Sequence, residues 1–305
     1  MENYTYFLNP NLKVLNFTHI DLDGAVSAIV LKQVYNIINV RMINYNKKEP
    51  ESLDYARNNI DNYDCIIFTD FCPNKTTSVK DFQDLGKPVL VLDHHTTAKK
   101  CLNIKENVFI DESRSGAKLA YDFYKKYFKI DYLEQIVDVT DDYDRWVLKN
   151  KLSFKLNAIY WYLGFNEFIW KFTFGLKFDK NDEDFLANYA KSLADEYDKL
   201  EIQNLKNGML ISEVDHLAEI SYYIRRDFNP KYLIAVWPSK LKISIRSDEI
   251  PLSFISAKVG EGGGHDRAMG YYAKNGEDFK HILDLYIKYL DEYVDINMNK
   301  SVDSI

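Results

Sequence analysis

The chain has 305 residues, 46% of them hydrophobic and 28% charged, with a formal net charge of -7 at pH 7. That is enough apolar chain for two domains or one large one. The acidic balance and the lack of a Lys/Arg stripe argue against tight binding along a duplex track, which needs a basic footprint. The opening MENYTYFLNP shows no basic-then-apolar leader, and no run reaches membrane-spanning length. Cys65, Cys72 and Cys101 show neither metal spacing nor a disulfide framework, so a cytoplasmic protein with ordinary thiols is expected.

The first predicted strand, 13–18, runs into HIDLDG and delivers His19, Asp21 and Asp23 at its end. Residues 24–36, GAVSAIVLKQVYN, have helical apolar spacing. A strand follows at 38–43, a helix at 51–60, and strands at 64–69 and 88–92. The last two end at Asp70 and at Asp93-His94-His95. SRSGAKLAYDFYKKYF, residues 113–128, reads as a helix with Ser113 or Ser115 near its start, and 131–139 as another, leading out into TDDYDRW. This alternation predicts an α/β fold with a mostly parallel sheet flanked by helices. Ligands of such sheets sit beyond the carboxyl ends of the strands, where all three polar clusters fall.

Residues 151–178 are helical and aromatic, with Tyr160, Trp161, Tyr162, Phe165, Phe168, Trp170, Phe172 and Phe174. They read first as helix-packing core and second as a base-stacking surface. The pattern predicts a first domain over 1–182, a connecting helix within 183–210 and a smaller α/β domain over 211–305. In the last part, strands are expected at GMLIS, EISYYI, YLIAVWP and KLKISIRS. The glycines of EGGGHDRAMG allow close backbone approach to an anion, and the segment after them reads as a helix. A final helix is expected near 278–293, and the active site in the cleft between the domains.

The clusters combine hard oxygen ligands with imidazoles and no thiolate, a set suited to Mn2+, Mg2+ or Fe2+. One ion rarely needs so many carboxylates. Two ions about 3.5–4 Å apart, sharing a bridging carboxylate, would clamp a phosphoryl group in line with an attacking water. Asp141, Asp142 and Asp144 cluster after a predicted helix, and Asp144 has a simpler use as a partner of Arg145 or Lys149. Ser27 and Cys72 lie near the motifs but lack the base and orienter of a nucleophilic triad.

The ordered set HIDLDG, TD before a turn, LDHH and DDYDRW resembles the DHH phosphoesterase superfamily. KISIRS followed by EGGGHDRAMG resembles its DHHA1 accessory domain. The HxDxDG form is similar to the subgroup of nanoRNases, oligoribonucleases and cyclic-nucleotide phosphodiesterases, with RecJ-like enzymes as relatives. The resemblance implies a metal-dependent phosphodiesterase with two divalent ions, Mn2+ first and Mg2+ or Fe2+ as alternatives. It places one ion on His19, Asp21 and Asp70, and the other on Asp23, Asp70, His94 and Asp142, with Asp141 as the alternative by one register. Asp93 would orient an imidazole or a water, and His95 would face the substrate phosphate. His265 with Gly262, Gly263 and Gly264, together with Arg246 and Arg114, would bind substrate.

The implied substrate is a short single-stranded RNA or DNA oligonucleotide, with no membrane partner and a homodimer left open. The alternatives are a 3',5'-bisphosphonucleotide phosphatase and a cyclic mono- or dinucleotide phosphodiesterase. Inorganic pyrophosphatase ranks low, because its second domain normally lacks GGGH. A nucleotide-binding sensor without activity ranks low too, because it should lack a metal ligand.

Overall fold

Strands β3 (Cys65–Thr69) and β4 (Val89–Asp93) are buried at every residue, as expected for a parallel sheet covered on both faces. The computed structural model describes residues 3–43, 49–73, 76–95, 98, 107–265 and 267–297. Cα packing divides the chain into two compact units, Met1–Leu186 and Ala187–Ile305.

In the first unit β3 and β4 pair in parallel with β1 (Lys13–His19), β2 (Ile37–Ile43) and β5 (Val108–Ile110), in the order β2-β1-β3-β4-β5. The helices are α1 (Leu22–Val34), α2 (Glu49–Asn59), α3 (Val79–Gln83), α4 (Gly116–Tyr124), α5 (Glu134–Asp144), α6 (Ser153–Leu163) and α7 (Phe165–Phe172). Side chains alternate across the sheet because the strand repeat is two residues. Val14, Ile67, Leu90 and Leu92 join the core of α1, α4, α5, α6 and α7. Leu15, Phe17, Ile66, Phe68 and Val91 join the core of α2 and α3. The strand order reverses direction between β1 and β3. Chains leaving these two strands therefore diverge to opposite faces and open a crevice at the carboxyl edge.

The second unit has a mixed sheet in the order β10-β11-β9-β8-β7-β6. Its strands are β6 (Ile202–Asn204), β7 (Gly208–Ser212), β8 (Tyr232–Trp237), β9 (Lys242–Arg246), β10 (Gly263–His265) and β11 (Ala268–Tyr272). Among the described residues only β7 and β8 pair in parallel, linked by α9 (Leu217–Phe228). One face packs on α10 (Leu252–Val259) and α11 (Gly276–Asn297), the other on α9 and the later part of α8 (Lys180–Asp198). The chain therefore has the expected architecture of two α/β units, the first with a mostly parallel sheet and the second smaller.

Several elements differ from the sequence reading. EISYYI lies in α9, because Ile220 and Ile224 stand one helical turn apart and bury the same stripe. The helix expected after the glycine run is the β10–β11 hairpin, and α10 precedes the glycines instead. The long charged helix ends at Asp198, and Ile202–Asn204 pairs with β7. The short β5 was not anticipated. The aromatic stretch divides: Tyr160, Phe168 and Phe172 are core, whereas Trp170 and Phe174 are 84% and 82% exposed. Among the described residues no helix is long and apolar enough to cross a membrane.

Phe68 lies 5.4 Å from Phe17 and 4.9 Å from Phe82 between ring centroids, and is fully buried. Phe68→Ala should therefore cost about 3–5 kcal/mol, read as a lowered urea midpoint at unchanged slope.

Candidate active site

The first unit brings together the three strand ends identified in the sequence. Asp21 caps α1 by accepting from Gly24 N at 3.0 Å. Its other oxygen lies 2.5 Å from His19 Nδ1. Asp23, in the first turn of α1, is buried, and its two oxygens accept from the backbone of Gly116 at 2.6 Å and Ala117 at 2.9 Å. These donors belong to the first turn of α4, where unpaired N–H groups and the helix dipole favour an anion. A Cβ on Gly116 would stand 2.5 Å from Asp70 Cβ and 3.0 Å from Asp23 Oδ2, so only glycine lets this helix end approach so closely. Asp70, just past β3, is buried and adopts φ +52°. That is an uncommon backbone for a residue with a Cβ, and such outliers gather at functional sites.

Asp93-His94-His95 closes the cluster. Asp93 Oδ1 accepts from His94 N at 2.8 Å and lies 2.8 Å from His95 Nδ1. His94 Nε2 is 3.2 Å from Asp70 Oδ1, 3.4 Å from Asp144 Oδ2 and 3.7 Å from Asp23 Oδ2. Among the described residues three overlapping groups have the spacing to hold a cation: Asp70 with Asp93, His94 and His95; His19 with Asp21 and Asp70; and Asp23 with His94 and Asp144. Asp70 is shared by two of them. Among the described residues, Asp70 Oδ2 and Asp144 Oδ2 are buried without a hydrogen-bond partner. Buried oxygens of this kind are costly unless something else satisfies them. The donor set and these two atoms fit a divalent-metal site.

The electrostatics point the same way. Burial pushes the Asp144 carboxyl up to about 8, helped by the charges of Asp23 and Asp21 and opposed by His94. Burial and the neighbouring carboxylates likewise raise Asp70 well above the usual range. Asp23 is raised by burial, against the pull of His94. Burial alone would lower His94 and His19, but the surrounding carboxylates outweigh it and hold both imidazoles above their ordinary value. Burial opposes the ionisation of Asp21 and Asp93, yet their histidine partners and backbone donors lower both.

The structure corrects the fourth motif. Asp142 was expected to be a ligand, but it stays outside the cluster. Its oxygens accept from Lys149 N and Asn150 N, both at 2.9 Å, and from Ser153 Oγ at 2.5 Å. Asp141 is engaged too, by Ser115 N at 2.7 Å and Arg145 at 3.1 Å. Asp144 takes the place beside His94. The reason is that α5 runs on to Asp144, past the helix end expected at 139. At about 100° per residue, Asp144 returns to the face of buried Val137, seven positions earlier, whereas Asp142 points about 200° away. That seven-residue step from Val137 was the available signal.

Arg114 does not reach the cluster either. Its guanidinium pairs with Asp111 at 2.6 Å and Asp122 at 3.1 Å. In the second unit, Arg246 ends β9 and its Nη1 donates to Ser244 Oγ at 2.9 Å and Ile245 O at 3.0 Å. Backbone register aligns Arg246 with Ala268, and Ala268 with His265. Gly262 sits at φ +91°, a conformation suited to glycine. The side chain of His265 lies outside the described residues, as does Cys101. Cys65 and Cys72 are buried thiols.

The profile of the DHH family, N-terminal domain, matches residues 13–143. Those residues are similar to the N-terminal domain of the DHH family. The match contains every strand end of the cluster and stops one residue short of Asp144. The chain is 26% identical over 153 residues to a 3',5'-cyclic-nucleotide phosphodiesterase of Helicobacter pylori, a match that spans 44% of this chain and 44% of that relative. Its fold is similar to that of a pGpG-specific phosphodiesterase, PggH, from Vibrio cholerae, with a TM-score of 0.54 at 17% identity over 92% of this chain and 99% of that one. It is similar as well to RecJ in complex with Mn2+ from Thermus thermophilus, with a TM-score of 0.55 at 14% identity over 94% of this chain and 53% of that one. At these identities the two solved structures share the fold.

Two predictions follow from the geometry. Asp144→Asn should abolish or strongly weaken Mn2+ binding by calorimetry. Asp142→Asn should leave that binding intact and cost about 1–2 kcal/mol of stability through its lost backbone contacts. The reverse pattern would return the ligand to Asp142. The second concerns pH. Groups whose folded pKa is raised stabilise the fold below their unfolded pKa and lose that contribution as pH rises through the folded value. Asp144, Asp70, Asp23, His19 and His94 all have this sign. The metal-free protein should therefore lose melting temperature as pH rises from about 4 to about 8, and saturating Mn2+ should flatten or reverse the trend.

Proposed function

We propose that the chain is a metal-dependent phosphodiesterase that hydrolyses short single-stranded oligonucleotides. The convergence of His19, Asp21, Asp23, Asp70, His94 and Asp144 at one sheet edge, with Asp70 common to two ligand groups, is the observation that carries the proposal. A shared carboxylate suits two ions, and Mn2+ is the first choice for this oxygen-rich set with imidazoles. Divalent ions, when bound, supply positive charge against phosphoryl oxygens and acidify the attacking water.

The chain's own groups have separate tasks in this reading. His19 and Asp21 hold one side of the centre, and Asp23, His94 and Asp144 the other. Asp93, 2.8 Å from His95 Nδ1, fixes that ring so that Nε2 addresses a phosphoryl oxygen. Arg246 and the Gly262–His265 segment of the second unit are proposed to bind substrate phosphate, which a guanidinium and glycine-exposed N–H groups can do. Arg114 drops out of this list because Asp111 and Asp122 occupy its guanidinium.

A cyclic-nucleotide phosphodiesterase is the second reading, favoured by the name of the Helicobacter pylori relative. An assay of the Mn2+-loaded chain against labelled two- to five-residue RNA and DNA, a 3',5'-bisphosphonucleotide, and cyclic mono- and dinucleotides separates the readings. The primary proposal expects the two- to five-mers to be the best substrates. Turnover confined to cyclic nucleotides would replace it with the second reading. Arg246→Ala and His265→Ala should keep Mn2+ binding yet cleave oligonucleotides at least tenfold more slowly, one charged phosphate contact being worth about 1.4 kcal/mol or more. The defect should be smaller on a small generic phosphodiester.

A further inference from the structure

Beside the carboxylate cluster, on the outer side of β1, the first unit has a second polar pocket of about 370 Å3. Ile20, Arg41, Glu51, Tyr55, Phe165 and Asn166 contribute to its walls. The Arg41 guanidinium lies over the Tyr55 ring, 4.1 Å from its centroid. Asn39 Nδ2 donates to the hydroxyl of Tyr55 at 3.0 Å and to that of Tyr63 at 2.6 Å, which holds the Tyr55 ring in place. Arg41 is exposed, which leaves its guanidinium accessible to a flat ligand among the described residues. The rim adds an amide at Asn166 and a carboxylate at Glu51, groups that hydrogen-bond to the edge of a heterocycle.

Strand register fixes where this pocket stands relative to the metal centre. Phe17 pairs with Arg41, and His19 with Ile43. His19 therefore lies two residues further along β1 than the partner of Arg41, on the same sheet face. Two residues of rise and one strand spacing put the Cα atoms of His19 and Arg41 about 8 Å apart. That separation is on the scale of one nucleotide from phosphate to base. The next residue after His19, Ile20, is itself a wall of the pocket, and its carbonyl is held by Tyr160 Oη at 2.6 Å.

We propose that this pocket is a nucleobase subsite, in which the base of the nucleotide next to the cleaved phosphate stacks on the Arg41–Tyr55 pair while its edge meets Asn166 and Glu51. The inference rests on the phosphodiesterase reading above and adds a specificity element to it. Stacking on an aromatic or guanidinium face tolerates every base and is driven by ring area. A pre-held tyrosine under an arginine lowers the ordering cost of such a stack.

The test uses the full chain loaded with Mn2+ and calorimetry with adenosine 5'-monophosphate and ribose 5-phosphate, two probes that differ only in the base. The wild type should bind the nucleotide at least tenfold tighter than the sugar phosphate. Arg41→Ala should remove most of that difference, and Asn166→Ala part of it, both leaving the ribose 5-phosphate affinity unchanged. These two positions are exposed, so the variants keep the fold. Equal binding of the two probes to the wild type, or equal nucleotide affinity in wild type and Arg41→Ala, would overturn the subsite. Hydrolysis of a labelled dinucleotide distinguishes this outcome from failure of the underlying reading. A wild type that cleaves it, with an Arg41→Ala variant of equal KM, refutes the subsite alone. A wild type that cleaves no phosphodiester refutes the activity.

Discussion

Asp23, Asp70 and Asp144 surround a single imidazole nitrogen, His94 Nε2, within 3.7 Å. Like charges at such separations in a poorly solvated place repel strongly. Burial first, and the neighbouring carboxylates after it, raise all three carboxyls, against the pull of His94 on Asp23 and Asp144. Without a cation, the cluster avoids this repulsion only by keeping protons on some carboxyls. With one, the same carboxylates become an attractive cage. The rest of the first unit positions the members of this cage.

Two features do most of that holding. The parallel sheet supplies three strand ends at one edge, and its buried hydrophobic faces fix those ends in space. The start of α4 then docks against Asp23 through the Gly116 and Ala117 N–H groups. These contacts orient both oxygens of Asp23 and favour the ionised carboxylate, in opposition to burial. Any side chain at 116 would push α4 away from Asp70, so the helix contact and the ligand geometry are one constraint.

Around this centre the unit separates tasks by depth. Asp21, Asp93 and the two histidines they contact are pre-oriented by short local bonds within two residues of sequence. Asp144 instead arrives on a helix from 50 residues beyond His94, so its position depends on how α5 packs against α1 and α4. Asp141 and Asp142 serve that packing: one accepts from the start of α4 and the other closes the turn after α5. The acidic run TDDYD thus contains two scaffold carboxylates and one that enters the cage.

Much of this was legible in the sequence because it is local. A run of apolar residues that stops at Asp or His marks a strand end, and alternation of strands with helices implies a parallel sheet whose ends share an edge. His19, Asp21, Asp23, Asp70, Asp93, His94 and His95 were all identified on that ground, and the cluster contains each of them. What failed was information that only packing holds. Which of three aspartates turns inward depends on the phase of α5, and that phase is set by the burial of Ile136, Val137 and Thr140 against neighbouring elements. EISYYI carries both a strand-like composition and a helical stripe, and the contact of Ile220 and Ile224 with β8 decides between them. Arg114 looked available because its partners, Asp111 and Asp122, meet it only through the turn into α4 and the next turns of that helix. Sequence by itself determined the chemistry of the residues and their order along the chain. Tertiary structure decided which oxygen faces which, because helix phase and side-chain pairing follow from the burial of distant surfaces.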